Sequence, residues 1–152
     1  MNSKVDIGEK EKNSAKDWFE ELRNHICDAF EKIEISQESG PFSHLKPGKF
    51  ERKTTSRENK GNQDGGGGVM SVMRNGRVFE KVGVNISTVY GELEPPAQKS
   101  LSSRHDIPGL KDDPRFWASG ISLVAHMQSP KTPAVHMNTR MFWTPGITWF
   151  GG

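Results

Sequence analysis

Residues 120–143 read GISLVAHMQSPKTPAVHMNTRMFW, a pattern typical of a β-hairpin. Two runs rich in apolar and β-branched residues, Ile121–Met127 and Ala134–Phe142, flank the turn-forming cluster Gln128–Pro133. The two prolines of this cluster lack the backbone N–H that a ladder hydrogen bond requires. We therefore expect both strands to end at the cluster.

Alternation along the two strands gives the hairpin two different faces. If the turn is centred near Lys131, opposite residues have numbers that sum to about 262. The pairs are then His126 with His136, Val124 with Asn138, and Ser122 with Arg140. One side, termed the polar face, carries the even-numbered residues Ser122, Val124, His126, His136, Asn138 and Arg140. The other side, termed the apolar face, is expected to pack in the core and carries Ile121, Leu123, Ala125, Met127, Val135, Met137, Thr139 and Met141.

The polar face has two interpretations. It is a solvated surface if this sheet, like many antiparallel sheets, has one wet side. It is a binding or catalytic site if its hydrogen-bonding groups converge on a ligand. Such solvated faces usually carry Lys and Glu, and this one has neither. Arg140 suits bidentate recognition of a carboxylate or phosphate, and His126 and His136 suit proton transfer near neutral pH or metal ligation.

The composition of the chain narrows the class of protein. Its 152 residues predict one domain. The formal net charge of +2 is too small to indicate a nucleic-acid partner. The single cysteine, Cys27, excludes an intrachain disulfide. No apolar run reaches the ~18 residues of a membrane span, and the N-terminus lacks the apolar segment of a secretory signal, so we expect a cytoplasmic protein.

The N-terminal quarter of the chain predicts one amphipathic helix. Residues 1–12 are strongly charged and are expected to be disordered. A helix is predicted from Ser14 to Glu34, with Ser14 and Asp17 resembling a capping box. Its apolar stripe, at helical spacing, consists of Trp18, Phe19, Leu22, Ile26, Ala29, Phe30 and Ile33. This stripe predicts a helix packed on a sheet.

The middle of the chain predicts a second hairpin. Its arms are Val69–Arg74 and Arg77–Tyr90, and Asn75-Gly76 between them favours a type I′ turn. The remaining segments are predicted as a short edge strand at Phe50–Thr55, a flexible polar segment at Ser56–Gly68 and a long loop at Gly91–Pro114. Together these features predict an α+β fold with an antiparallel sheet built from hairpins and flanked by helices.

Three runs of this sequence closely resemble the oxygen-dependent coproporphyrinogen-III oxidases of heme biosynthesis. They are VMRNGRVFEKVGVNISTVYGEL (residues 72–93), FWASGISLVAHMQSPKTPAVHMNTRMF (residues 116–142) and WFGG (residues 149–152). The resemblance implies an enzyme that uses O₂ to convert the propionates of rings A and B of coproporphyrinogen III into vinyl groups, releasing CO₂ and giving protoporphyrinogen IX. It also implies a large, flattened antiparallel sheet with helices on both faces, and a homodimer.

The resemblance implies roles for residues of the polar face. Ser122 and the run Asn138-Thr139-Arg140 correspond to substrate-binding positions, and His136 corresponds to the proposed catalytic proton donor. Thr139 has the opposite parity, so its contact is expected through its backbone. His126 and His136 correspond to metal ligands proposed in bacterial members. Two histidines fall short of the three or four ligands of a closed zinc-type site, which argues against a metal in this chain. The family uses O₂ as co-substrate and no organic cofactor.

The family motif that begins WFGG continues with further glycine and an Asp-Leu-Thr-Pro stretch, whereas this sequence ends at Gly152. We therefore expect residues 13–152 to be the N-terminal part of a single, truncated oxidase domain that does not turn over substrate alone. Two alternatives stay open. One is a non-catalytic remnant that binds a carboxylated tetrapyrrole, and the other is a protein-interaction β-domain with a solvated polar face.

Overall fold

The computed structural model describes residues 8–152, and within them an α-helix packs on a six-stranded antiparallel sheet. In chain order the elements are α1 (Glu9–Ser36), β1 (Glu51–Asn59), β2 (Gln63–Arg74), β3 (Phe79–Glu92), α2 (Pro95–Ser102), β4 (Arg115–Met127), β5 (Val135–Thr144) and β6 (Ile147–Gly151). The spatial order of the strands equals their order in the chain. The α+β prediction is therefore confirmed. Neither helix of this described part has the length and apolar character to cross a membrane.

Helix α1 begins inside the segment predicted to be disordered. That prediction for residues 1–12 is wrong for the last four of them, and the first seven lie outside the described residues. Lys12 Nζ forms an ion pair with Glu9 at 3.0 Å and lies 3.8 Å from the ring centroid of Trp143 in β5. These contacts stabilise the first turn against the sheet. Ser14 consequently lies within the helix and is not its cap.

Helix α1 covers the apolar face of the sheet. The buried core joins residues of α1 to four strands and comprises Phe19, Cys27, Met73, Phe79, Val82, Val84, Ile121, Leu123, Ala125 and Met141. Leu22, Ile26 and Phe30 of the predicted stripe pack against this core. Trp18 and Ile33 are 52% and 43% exposed, so the stripe is wider than the surface it covers. The prediction of a helix packed on the apolar face is confirmed.

The segment Ser56–Gly68 is not a flexible loop. It forms the end of β1, a turn and the start of β2, because its glycines allow adjacent strands to approach closely. A Cβ atom on Gly67 would overlap the carbonyl oxygen of Thr55, and one on Gly68 would overlap that of Ile86. The glycine run is therefore a requirement of strand packing, and the predicted edge strand extends to Asn59.

The second predicted hairpin is present, but its turn differs from the predicted type I′. Asn75 has a positive φ of 52°, whereas Gly76 does not have a positive φ. The turn is instead stabilised by the buried carboxylate of Glu34 in α1. Its Oε2 accepts N–H groups from Gly48 (2.9 Å) and Arg77 (2.5 Å), and its Oε1 accepts those of Val78 and Phe79 (both 2.9 Å).

One end of the polar face is apolar and covered. The predicted loop Gly91–Pro114 contains α2, and the segment after α2 buries Ile107 and Leu110. A ladder of rings crosses this end of the sheet, in the order Phe116, Phe142, Trp149 and His105, with neighbouring centroids 4.8–5.8 Å apart. The polar side chains of the face lie beyond this covered end.

Candidate functional site

Strand register places polar residues in two rows across the middle of the polar face. In the first row, Ser122 of β4 lies between Asn85 of β3 and Asn138 of β5. In the second row, Gly120 of β4 lies between Ser87 of β3 and Arg140 of β5. Neighbouring strands are about 4.8 Å apart, so each row spans about 10 Å.

The register corrects the predicted pairing of the two histidines. His126 lies opposite Lys81 of β3, and His136 lies opposite Val124, so the two imidazoles are offset by two residues along the sheet. The cause is the position of the turn: Ala125 pairs with Val135, so the hairpin is centred at Pro130 and not at Lys131. The other predicted pairs shift in the same way, while the assignment of residues to faces is unchanged.

A shallow cavity of about 250 Å³ lies over these rows. Its lining includes all four predicted substrate-binding residues, Ser122, Asn138, Thr139 and Arg140. Gly120 forms its floor, because a Cβ atom there would lie 2.7 Å from Cβ of Arg140 and 2.6 Å from the carbonyl oxygen of Thr139. Thr139 itself pairs with Ile121 on the apolar face, so the Thr139 backbone is the part that reaches the floor. The structure therefore brings the predicted binding residues together.

Asn138 connects the cavity to His136. Its Nδ2 lies 3.3 Å from Nε2 of His136. When the amide donates, Nε2 is the acceptor and the neutral imidazole carries its proton on Nδ1. The Asn138 Oδ1 atom is buried and has no hydrogen-bond partner. Such a group is costly to leave unpaired, so it marks a position where a ligand donor would be stabilised.

Arg140 is exposed at the edge of the cavity. Within residues 8–152 it takes part in none of the ion pairs of the structure, which engage other basic side chains. A guanidinium presents a planar fork of donors that matches a carboxylate. Arg140 is thus available to pair with an anionic group of a ligand in the cavity.

The described residues do not supply a metal centre by themselves. No group of three or more His, Cys, Asp or Glu side chains in this part of the chain could hold a metal ion. His126 and His136 also lack the directly opposed placement predicted for them. These two side chains alone do not fit a divalent metal, and metal ligation by them stays a prediction.

The residues of the cavity that sequence reasoning missed include Asn85, Ser87 and Gly120. Asn85 and Ser87 alternate with Val84 and Ile86 along β3. This alternation was the only sequence pattern that indicated that Asn85 and Ser87 face away from the core. Their position beside Ser122 depends on pairing between β3 and β4. The chain between those strands is long and contains α2, so no turn motif revealed their register.

Comparisons with known proteins identify the family of this chain. A family model described as coproporphyrinogen III oxidase matches residues 14–152. An oxygen-dependent coproporphyrinogen-III oxidase of Rickettsia bellii is 49% identical over 146 residues, covering 96% of this chain and 47% of that protein. The enzyme of the same name from Rickettsia felis is 50% identical over 141 residues, covering 93% and 45%. The chain thus spans about half the length of these curated relatives, and it belongs to the coproporphyrinogen III oxidase family.

Proposed function

We propose that this chain provides the substrate-binding face of an oxygen-dependent coproporphyrinogen-III oxidase. The reaction would convert the propionates of rings A and B of coproporphyrinogen III into vinyl groups and give protoporphyrinogen IX in heme biosynthesis. The observation that carries the proposal is the single cavity shared by Ser122, Asn138, Thr139 and Arg140, with His136 in contact with Asn138. The proposal includes a cytoplasmic homodimer with no nucleic-acid partner.

The chemistry of the cavity suits a carboxylated, N–H-bearing ligand. The Arg140 guanidinium would bind a propionate carboxylate through charge-assisted hydrogen bonds. The buried Oδ1 of Asn138 would accept a hydrogen bond from a pyrrole N–H, which would supply the partner that this atom lacks. The Ser122 hydroxyl, in the same row as Asn138, can donate to a carboxylate or accept from a pyrrole.

His136 is the proposed group for proton movement. In each conversion the bond to the carboxyl carbon breaks to release CO₂, the β-carbon gives up a hydrogen as a proton and two electrons, and the remaining two carbons form the vinyl group. The two electrons and two protons reduce O₂ to H₂O₂. A neutral imidazole at the cavity edge could accept or return a proton during this oxidation. Asn138 would orient the ring through the contact at Nε2. No step is assigned to a metal, since His126 and His136 alone do not form a complete ligand set.

The test is aerobic turnover of coproporphyrinogen III by the complete encoded protein. Turnover is measured as O₂ consumption and as porphyrin fluorescence after the product has been oxidised. Arg140→Ala should lower kcat/KM at least tenfold, the scale of a lost hydrogen bond to a charged group. His136→Ala should lower kcat more than it changes KM. Lys32→Ala removes one exposed positive charge from α1 on the opposite side of the sheet and should leave both constants unchanged.

The alternative of a non-catalytic binder makes a different prediction. It expects coproporphyrin III to bind, with Arg140→Ala weakening the complex, but no O₂ to be consumed. Normal kinetics in both the Arg140→Ala and the His136→Ala variants would contradict the roles proposed for these residues.

A further inference from the structure

We propose that Asn85 is an additional substrate-contacting residue, whose side-chain amide donates a hydrogen bond to a carboxylate of the bound tetrapyrrole. This inference rests on the proposed function, because it concerns the same cavity. It extends the site from the β4–β5 hairpin onto β3, which none of the predicted site residues occupies.

The position of Asn85 is defined by the sheet. Asn85 pairs with Ser122, which in turn pairs with Asn138, so the three side chains form one row on the polar face. All three residues line the 250 Å³ cavity. Arg140 lies in the adjacent row on β5, two strands from β3. Asn85 and Arg140 therefore stand on opposite sides of the cavity, and a ligand with several carboxylates can present one to each.

The orientation of the Asn85 amide leaves its donor free. Oδ1 accepts the backbone N–H of Ser71 in β2 at 3.3 Å, which fixes the plane of the amide. Nδ2 lies beside Gly83, 3.7 Å from the position of a Cβ atom there, at the margin of the cavity and on the side away from Arg140. Gly83 has no side chain to cover it, and among residues 8–152 no group accepts a hydrogen bond from Nδ2. An oriented, half-buried amide with an unused donor is suited to bind an oxygen atom of a ligand.

Asn85→Asp separates this role from a purely structural one. The aspartate keeps an oxygen that accepts the Ser71 N–H, but it replaces the free amide donor with a second carboxylate oxygen. A structural role therefore predicts little change, whereas a donor role predicts loss of a hydrogen bond and repulsion of the ligand carboxylate. Asn24→Asp is the matched control, since Asn24 lies on α1 and its Oδ1 likewise accepts a local hydrogen bond, from Arg23 Nε.

The experiment uses the complete encoded protein and measures the Kd of coproporphyrin III by fluorescence, together with kcat/KM for coproporphyrinogen III. Asn85→Asp should raise the Kd about tenfold or more, and Asn24→Asp should leave it unchanged. A Kd within twofold of wild type for Asn85→Asp would overturn the inference. If circular dichroism shows that Asn85→Asp does not fold, Asn85→Ala, which also lacks the donor, is tested against the same twofold limit on the Kd.

The two measurements separate this inference from the proposed function. Normal turnover with an unchanged Kd in Asn85→Asp overturns the role of Asn85 and leaves the oxidase function standing. Binding that weakens in Asn85→Asp, in a protein that never consumes O₂, supports the role of Asn85 and overturns the oxidase function. A wild-type protein that binds no coproporphyrin III overturns both.

Discussion

Replacing Glu34 with glutamine should destabilise the protein strongly. The Glu34 side chain is fully buried and accepts four backbone N–H groups, two on each carboxylate oxygen. Glutamine retains one acceptor oxygen, so two of these N–H groups would face an amide nitrogen that cannot accept. A buried donor left without an acceptor costs about 1–3 kcal/mol. The expected loss in the free energy of unfolding at pH 7 is therefore about 2–6 kcal/mol.

The stabilisation by Glu34 should also depend on pH. Burial by itself raises the pKa of this carboxyl, but the hydrogen bonds from Gly48, Phe79, Val78 and Arg77 outweigh it, and the pKa lies below its usual value. A depressed pKa means that the stabilisation is complete above the pKa of the unfolded state, about 4.3. It is lost as the pH falls from there through the lower pKa of the folded state. The difference between wild type and Glu34→Gln should consequently shrink over this acidic range.

The assay is urea-induced unfolding followed by circular dichroism, at pH 7 and at intervals down to pH 3. Glu38→Gln is the control, because Glu38 is exposed just beyond α1 and such substitutions usually change stability by at most about 0.5 kcal/mol. A loss below 0.5 kcal/mol for Glu34→Gln, or a loss that does not vary with pH, would refute the reasoning.

Two further predictions concern the sheet and its turns. Gly67→Ala should lower the free energy of unfolding, measured in urea, by about 1–3 kcal/mol, because its Cβ would overlap the carbonyl oxygen of Thr55. Gly83→Ala is the control, since its Cβ would meet nothing nearer than 3.7 Å. Equal losses in the two variants would argue against the steric cause. Gln128→Ala removes the hydrogen bond from Nε2 to Gly76 O (2.9 Å) and should cost about 1 kcal/mol. Because Gln128 and Glu34 hold the same turn, a double-mutant cycle should give a coupling above about 0.5 kcal/mol, and strict additivity would show that they act independently.

Local pattern was sufficient for the parts of the fold that depend on one strand or one helix. Alternation in β4 and β5 correctly separated Ile121, Leu123 and Met141 from Ser122 and Asn138. Face assignment depends only on residue parity, so it survived the shift in register.

The features that sequence reasoning missed arise from contacts between distant segments. Glu34 is buried because it accepts hydrogen bonds from backbone groups up to 45 residues away. The sequence around a glutamate in a helix does not predict such distant partners. In the sequence, the glycines at 65–68 are typical of a mobile loop. In the structure they lie in β2 between β1 and β3, a placement that only the pairing of the strands reveals. The offset of His126 from His136 likewise depends on the register between β4 and β5, which residue parity alone does not fix.

The order of the strands has a consequence for how the sheet forms. Each strand pairs with the strand before it in the chain, so the ladder can grow one strand at a time during synthesis. Contacts between neighbouring segments carry a small loop-closure cost, and proteins rich in them fold faster than those with distant pairings. Helix α1 is the exception, since the partners of Glu34 at Arg77–Phe79 are made much later than the helix. We therefore expect α1 to dock only after β3 has been synthesised, which makes this docking the step that converts a growing sheet into a closed core.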